Sequence, residues 1–84
     1  MKQKTVEITV ISTMMNDKKA WVNGWGKGIG DTLIIHGYTH DINEARECFD
    51  LDDAKATISR FRNHHGREFT TETVTIPVSK RHEA

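Results

Sequence analysis

The chain has one cysteine, one proline and no excess of either charge. A single thiol, Cys48, excludes an intrachain disulfide, and small secreted domains usually need such cross-links. Twelve Lys plus Arg against twelve Asp plus Glu give a net charge of zero, which excludes a global field that would draw in nucleic acid or a membrane surface. No stretch approaches the roughly 18 apolar residues of a membrane span. Hydrophobic residues make up 36% of the 84, and a chain this short buries only roughly 60–65% of the surface it exposes when unfolded. The core is therefore small, and a partner or a second copy would help to stabilise it. Large cofactor-binding folds, multi-domain enzymes and histone-like polycations are excluded; a single domain over 1–84 is expected, with no cofactor. The N-terminus MKQKTVEITVIS begins basic, as a secretory leader would, but Glu7 and Thr9 interrupt its apolar run and no small-residue cleavage site follows. A reduced, unprocessed, cytoplasmic protein is expected.

What is present is mostly β-pattern. Val6, Ile8 and Val10 alternate with Thr5, Glu7 and Thr9, predicting a strand over 4–13 with one wet face. Asn16-Asp17 supplies a turn, and Lys19–Asn23 a second strand that closes a hairpin. Glycine then occupies positions 24, 26, 28 and 30, which predicts a flexible loop or a strongly bulged strand carrying an exposed Trp25 and Lys27. Strand character returns at Thr32–Gly37. The segment 41–50 is ambiguous between helix and strand, and a strand near 45–49 is the preferred assignment.

From Asp50 the local signals agree. Leu51, Ala54, Ile58 and Phe61 fall on one helical stripe, Asp50 is placed to cap the N-terminus, and Asp52 and Asp53 suit the first turn. Arg60, Arg62, His64 and His65 suit the last turns, with Gly66 as a left-handed stop. Phe69–Val78 closes the fold as a strand with Val74, Ile76 and Val78 inward, and Pro77 marks it as having a free edge. Residues 79–84 are expected to fray. The fold class that follows is α+β: a two-layer sandwich, a mainly antiparallel sheet of four or five strands with one helix on one face, in the order β-β-β-(β)-α-β. Thr5, Glu7, Thr9, Thr71 and Thr73 would line the opposite, solvated face.

Chemistry-bearing patterns are few. The run GWGKGIG spells neither glycine-rich nucleotide fingerprint, and a strand rather than a helix follows it. His36 and His40 are spaced H-x-x-x-H near Cys48, but four residues along a strand span roughly 13 Å, too far for one metal. No local signature joins a nucleophile, a base and an orienting acid. Neither catalytic nor metal-binding residues are assigned, and an enzyme is not expected.

Charge distribution says more than its sum. Residues 41–53 carry six acids (Asp41, Glu44, Glu47, Asp50, Asp52, Asp53) against Arg46, a net of −5. Residues 55–67 carry Lys55, Arg60, Arg62 and Arg67 and no acid, a net of +4. Dipole-matched helix ends explain part of this; an acidic docking patch would explain the rest. Aromatics near bases form the second feature. Trp25, with Trp21 and Tyr38 beside it, is the expected anchor for a protein partner. The function expected is a small macromolecular-interaction module of adaptor or inhibitor type that binds another protein and can form a homodimer. The alternative is a single-stranded nucleic-acid binder using Trp21, Trp25, Lys27, Tyr38, Arg60 and Arg62. In general style the chain is similar to accessory proteins of bacteriophages and mobile elements, a resemblance that rests on no particular residue.

Overall fold

The computed structural model describes residues 4–62, 64 and 66–77. Its elements are β1 (Thr5–Met15), β2 (Lys18–Lys27), β3 (Leu33–Thr39), a single 3-10 turn (Ile42–Glu44), α1 (Leu51–Arg60) and β4 (Thr70–Pro77). The four strands form one antiparallel sheet in the order β3-β2-β1-β4, and α1 packs on it. The protein is thus a small α+β fold. No helix among the described residues is long and apolar enough to cross a membrane. The predicted inward position of Val78, the histidine at 65 and the tail 79–84 lie outside the described residues.

The β1–β2 hairpin follows from two residues. Asn16 and Asp17 both take positive φ, 52° and 64°, which is the geometry of a two-residue type I′ turn, and asparagine and aspartate tolerate it best among non-glycine residues. β2 does not stop at Asn23 but runs to Lys27, so the bulged alternative for the glycine run is the one observed. Its register against β3 slips twice, between Val22 and Gly24 and between Gly24 and Trp25. The first slip adds Asn23 to β2 and the second adds His36 to β3, so each strand turns over once; Val22 and Trp25 on one, and Ile35 and Tyr38 on the other, thereby reach the same apolar cluster. At Gly26 an added Cβ would lie 2.8 Å from the His36 ring, so the glycine permits the close approach of β3. The hairpin tip is shorter than expected: Gly28 N–H donates to the Thr32 carbonyl, with Gly30 at φ 65° between them.

The segment 45–49 is neither helix nor strand. β2 leaves β1 after the Ser12–Trp21 pair, opening a gap in the sheet. Residues 46–48 fill that gap: Arg46 N–H donates to the Val22 carbonyl at 3.0 Å and Cys48 N–H to the Thr9 carbonyl at 2.7 Å. One isolated antiparallel bridge, Thr9 to Cys48, is all the strand pairing that results.

The expected one wet face of β1 is also corrected. Val10, Ile11, Ser12 and Thr13 are all buried, so both faces of the strand are covered at its centre. The face bearing Ile8 and Val10 packs with Ile76, Ala45 and the half-buried Val6, Trp21, Ile42 and Val74. The helix covers the opposite face, where Ala54 and Phe61 meet Ile11, Val22, Leu33, Ile35 and Cys48. It therefore sits on the side that alternation assigns to Thr9, which is half-buried there.

Helix α1 starts as expected, with Asp50 as N-cap accepting from Asp53 N–H at 2.7 Å. It ends at Arg60, six residues before Gly66. Phe61 leaves the helix to bridge Leu33 in parallel, and Arg62 N–H donates to the Leu33 carbonyl. Pairing with a sheet edge and burial of the Phe61 ring outcompete further helical turns. Gly66, at φ 78°, closes a separate turn in which Arg67 N–H donates to the His64 carbonyl. Leu51 drops out of the apolar stripe, leaving Ala54, Thr57, Ile58 and Phe61 inward. β4 is an edge strand ending at Pro77, in keeping with a residue that cannot donate to a neighbour.

Candidate functional site

The expected aromatic site divides between two faces. Trp21 belongs to the cluster of Ile8 and Val10, half-buried, with its indole N–H donating to Glu72 Oε1 at 2.7 Å. Lys19 Nζ reaches Glu72 Oε2, also at 2.7 Å, and lies 5.7 Å from the Trp21 ring centre. Burial alone would raise the Glu72 pKa, but these two donors and the lysine charge hold the carboxyl below its usual value.

Trp25 and Tyr38 lie on the helix side. The Arg46 guanidinium sits 4.1 Å above the Trp25 ring and also donates to the Trp25 carbonyl at 2.7 Å. The Phe61 ring meets the same indole edge-on at 5.7 Å. Trp25 is half-buried between them, where it supports the helix–sheet junction. Tyr38 carries the Arg67 guanidinium 5.2 Å from its ring. One aromatic face of each residue is thus already stacked on an arginine, which removes it as a platform for a nucleobase.

The three expected bases do converge. Lys27 is opposite Leu33 in register, Arg62 donates through its backbone to the Leu33 carbonyl, and Arg60 Nε donates to the Asp31 carbonyl at 2.6 Å. All three are exposed, near the β2–β3 hairpin tip where Ile29 is 79% exposed. This end of the molecule is basic with one bare aliphatic side chain.

The residue that sequence reasoning missed is at the other end of α1. Phe49 is 90% exposed, and Leu51, two residues on, is 44% exposed. The cause is local. Cys48 takes the inward position, bridged to Thr9, so its successor turns outward. Asp53 Oδ2 then accepts from Phe49 N–H at 3.0 Å while Asp50 accepts from Asp53 N–H, a reciprocal cap that pins the backbone on which the ring stands. A hydrophobic residue just before an N-cap ordinarily packs on the fourth helical residue. Here that residue is Ala54, whose methyl is buried in the core, so the ring has nothing to pack against. The pairing of Phe49 with an alanine five residues later was the available signal.

The chain on both sides of this knob is acidic. Asp41, Glu44, Glu47, Asp50, Asp52 and Asp53 are all exposed. Beneath them, burial first and the Asp53 and Glu47 charges next push the Cys48 thiol up to about 11, against the opposing pull of Arg46. The thiol therefore stays protonated and unreactive at neutral pH. His36 is exposed on β3, and His40 Nδ1 lies 3.0 Å from the Lys19 carbonyl. Among the described residues no group of three or more His, Cys, Asp and Glu side chains could hold a metal ion. A groove of about 680 Å³ lies beside the β1–β2 hairpin, but its charges balance, Lys19 and Arg67 against Glu68 and Glu72. Comparison with known protein families, curated proteins and solved structures found no match.

Proposed function

We propose that the chain is a small protein-binding module of adaptor or inhibitor type that engages its partner through the knob at the start of α1. The observation that carries this is the 90% exposure of Phe49, in a chain whose Phe61 is buried in the core. An exposed ring costs solvation in the isolated chain and contributes to binding once a partner covers it; buried aromatic anchors typically carry 2 kcal/mol or more of an interface, by order of magnitude. The acids next to Phe49 in the chain, Glu47, Asp50, Asp52 and Asp53, select basic partner surfaces and accelerate encounter with them. Trp25 serves this function indirectly, as part of the junction that holds α1 in place.

Affinity capture with the tagged chain and with its Phe49→Ala variant, each with and without nuclease, tests the proposal. Proteins retained by the parent chain in both nuclease arms and lost from the variant are the expected result. Identical captures by the two chains would remove Phe49 from the function. Loss of all captured material on nuclease treatment would put single-stranded nucleic acid in place of a protein partner.

A further inference from the structure

We infer that one partner of the Phe49 knob is a second copy of this chain, docked antiparallel along α1 about a two-fold axis near Ala56. The inference rests on the proposal that the knob is a docking surface and names its occupant. The chain is neutral overall, yet its charges are separated along the sequence, with net −5 over residues 41–53 and net +4 over 55–67; within α1 itself Asp52 and Asp53 stand in the first turn and Arg60 in the last. Each end also carries an exposed apolar side chain: Phe49 at the acidic end and Ile29, beside Arg60 and Arg62, at the basic end. The surface that complements one end of the molecule is the other end of the same molecule.

A two-fold interface requires that if residue i meets j, then j meets i. Antiparallel α1 helices satisfy this with a simple register. Asp52, Ala56 and Ser59 lie along the exposed side of the helix, opposite the buried Ala54 and Thr57. Placing the axis at Ala56 sets Asp52 of one copy against Arg60 of its partner, and the reverse pair forms by symmetry. Between the two ion pairs the helices can approach closely, because Ala56 is small and the Ser59 hydroxyl is turned back to the Ala56 carbonyl at 2.7 Å. The Arg60 side chain is already held by the Asp31 carbonyl, so less of its freedom is lost on pairing. The Phe49 ring then overhangs the Arg60–Arg62 end of the partner helix, within reach of a guanidinium face and of Ile29. In this arrangement the knob, the basic end and the exposed side of α1 are all covered at once.

Sedimentation equilibrium on the full chain over a wide concentration range tests this. The expected result is a concentration-dependent shift from 9.6 kDa toward twice that mass, weakened by salt. Phe49→Ala removes one ring from each copy and should weaken association by about a thousand-fold. Asp52→Arg alone and Arg60→Asp alone should each be monomeric, since each sets like charges opposite one another twice. Mixing the two variants should restore a dimer, and the double variant should dimerise by itself. That rescue also shows that both variants fold. A monomer at every concentration would overturn the inference, as would single charge variants that associate like the parent chain. If the chain is monomeric but Phe49→Ala still loses captured proteins, the dimer falls and the docking surface stands; if the captures are also identical, both fall.

Discussion

Replacing Phe49 and Phe61 in turn by alanine applies one chemical change to two opposite environments. Fully burying a phenylalanine is worth about 1.5–3 kcal/mol, and with 90% of Phe49 exposed only about a tenth of that is engaged, roughly 0.3 kcal/mol. Phe61 is 5% exposed, wedged between Trp25 and Phe69 with ring centres 5.7 and 5.3 Å away. Deleting it leaves a cavity where helix and sheet meet, at a cost of about 3–5 kcal/mol. A domain of 84 residues has in total about 4–13 kcal/mol of stability. Urea unfolding followed by tryptophan fluorescence reads the difference. With a slope of about 1 kcal/mol per molar urea, Phe49→Ala should move the midpoint by less than about 0.5 M. Phe61→Ala should lower it by about 3 M or leave the chain unfolded without denaturant. The titrations belong at low chain concentration, where self-association contributes nothing. A loss above about 1 kcal/mol for Phe49→Ala would mean that its ring packs within the isolated chain, and the docking surface would be refuted. A loss below about 1 kcal/mol for Phe61→Ala would refute the helix–sheet junction as described.

Two further substitutions probe the supports of the fold. Asp50→Ala removes the acceptor for Asp53 N–H and should destabilise by about 1 kcal/mol, while Asp50→Asn should stay near the parent, as asparagine caps equally well; equal losses in calorimetry would contradict the cap. Glu72 has a folded-state pKa below its unfolded value, so its contribution is present above about pH 4.5 and is lost as pH falls through the folded value. Glu72→Gln should therefore be less stable than the parent by about 1 kcal/mol at neutral pH, with the gap closing on acidification; a gap constant with pH would show that the carboxylate charge is not what matters.

Much of the local structure was legible in single residues. Asn16-Asp17 marked the turn with two consecutive left-handed non-glycine residues, and Asp50 marked the start of α1, because both signals act within a few residues of the chain. The end of α1 was not legible. Gly66 was a sound left-handed stop, yet Phe61 left the helix earlier to pair with Leu33, a residue 28 positions away. The glycine run was ambiguous for a similar reason: whether it loops or pairs depends on whether β3 returns alongside, which no property of residues 24–30 decides. The candidate site fared worst. Trp25 reads as an exposed anchor until Arg46 and Phe61 are brought to its two sides, and Phe49 is left bare only because Cys48 takes the inward place.

By itself the sequence determined the α+β class, the capped start of α1, the edge position of β4 and the separation of charge along the chain. These depend on periodicity, backbone preference and residue order, which are properties of neighbours in the chain. Only the tertiary structure decided which side of the sheet the helix covers and which aromatic side chain is left bare. Exposure is set by what a distant segment happens to cover, and the gap that residues 46–48 fill between β1 and β2 exists only once the strands have diverged.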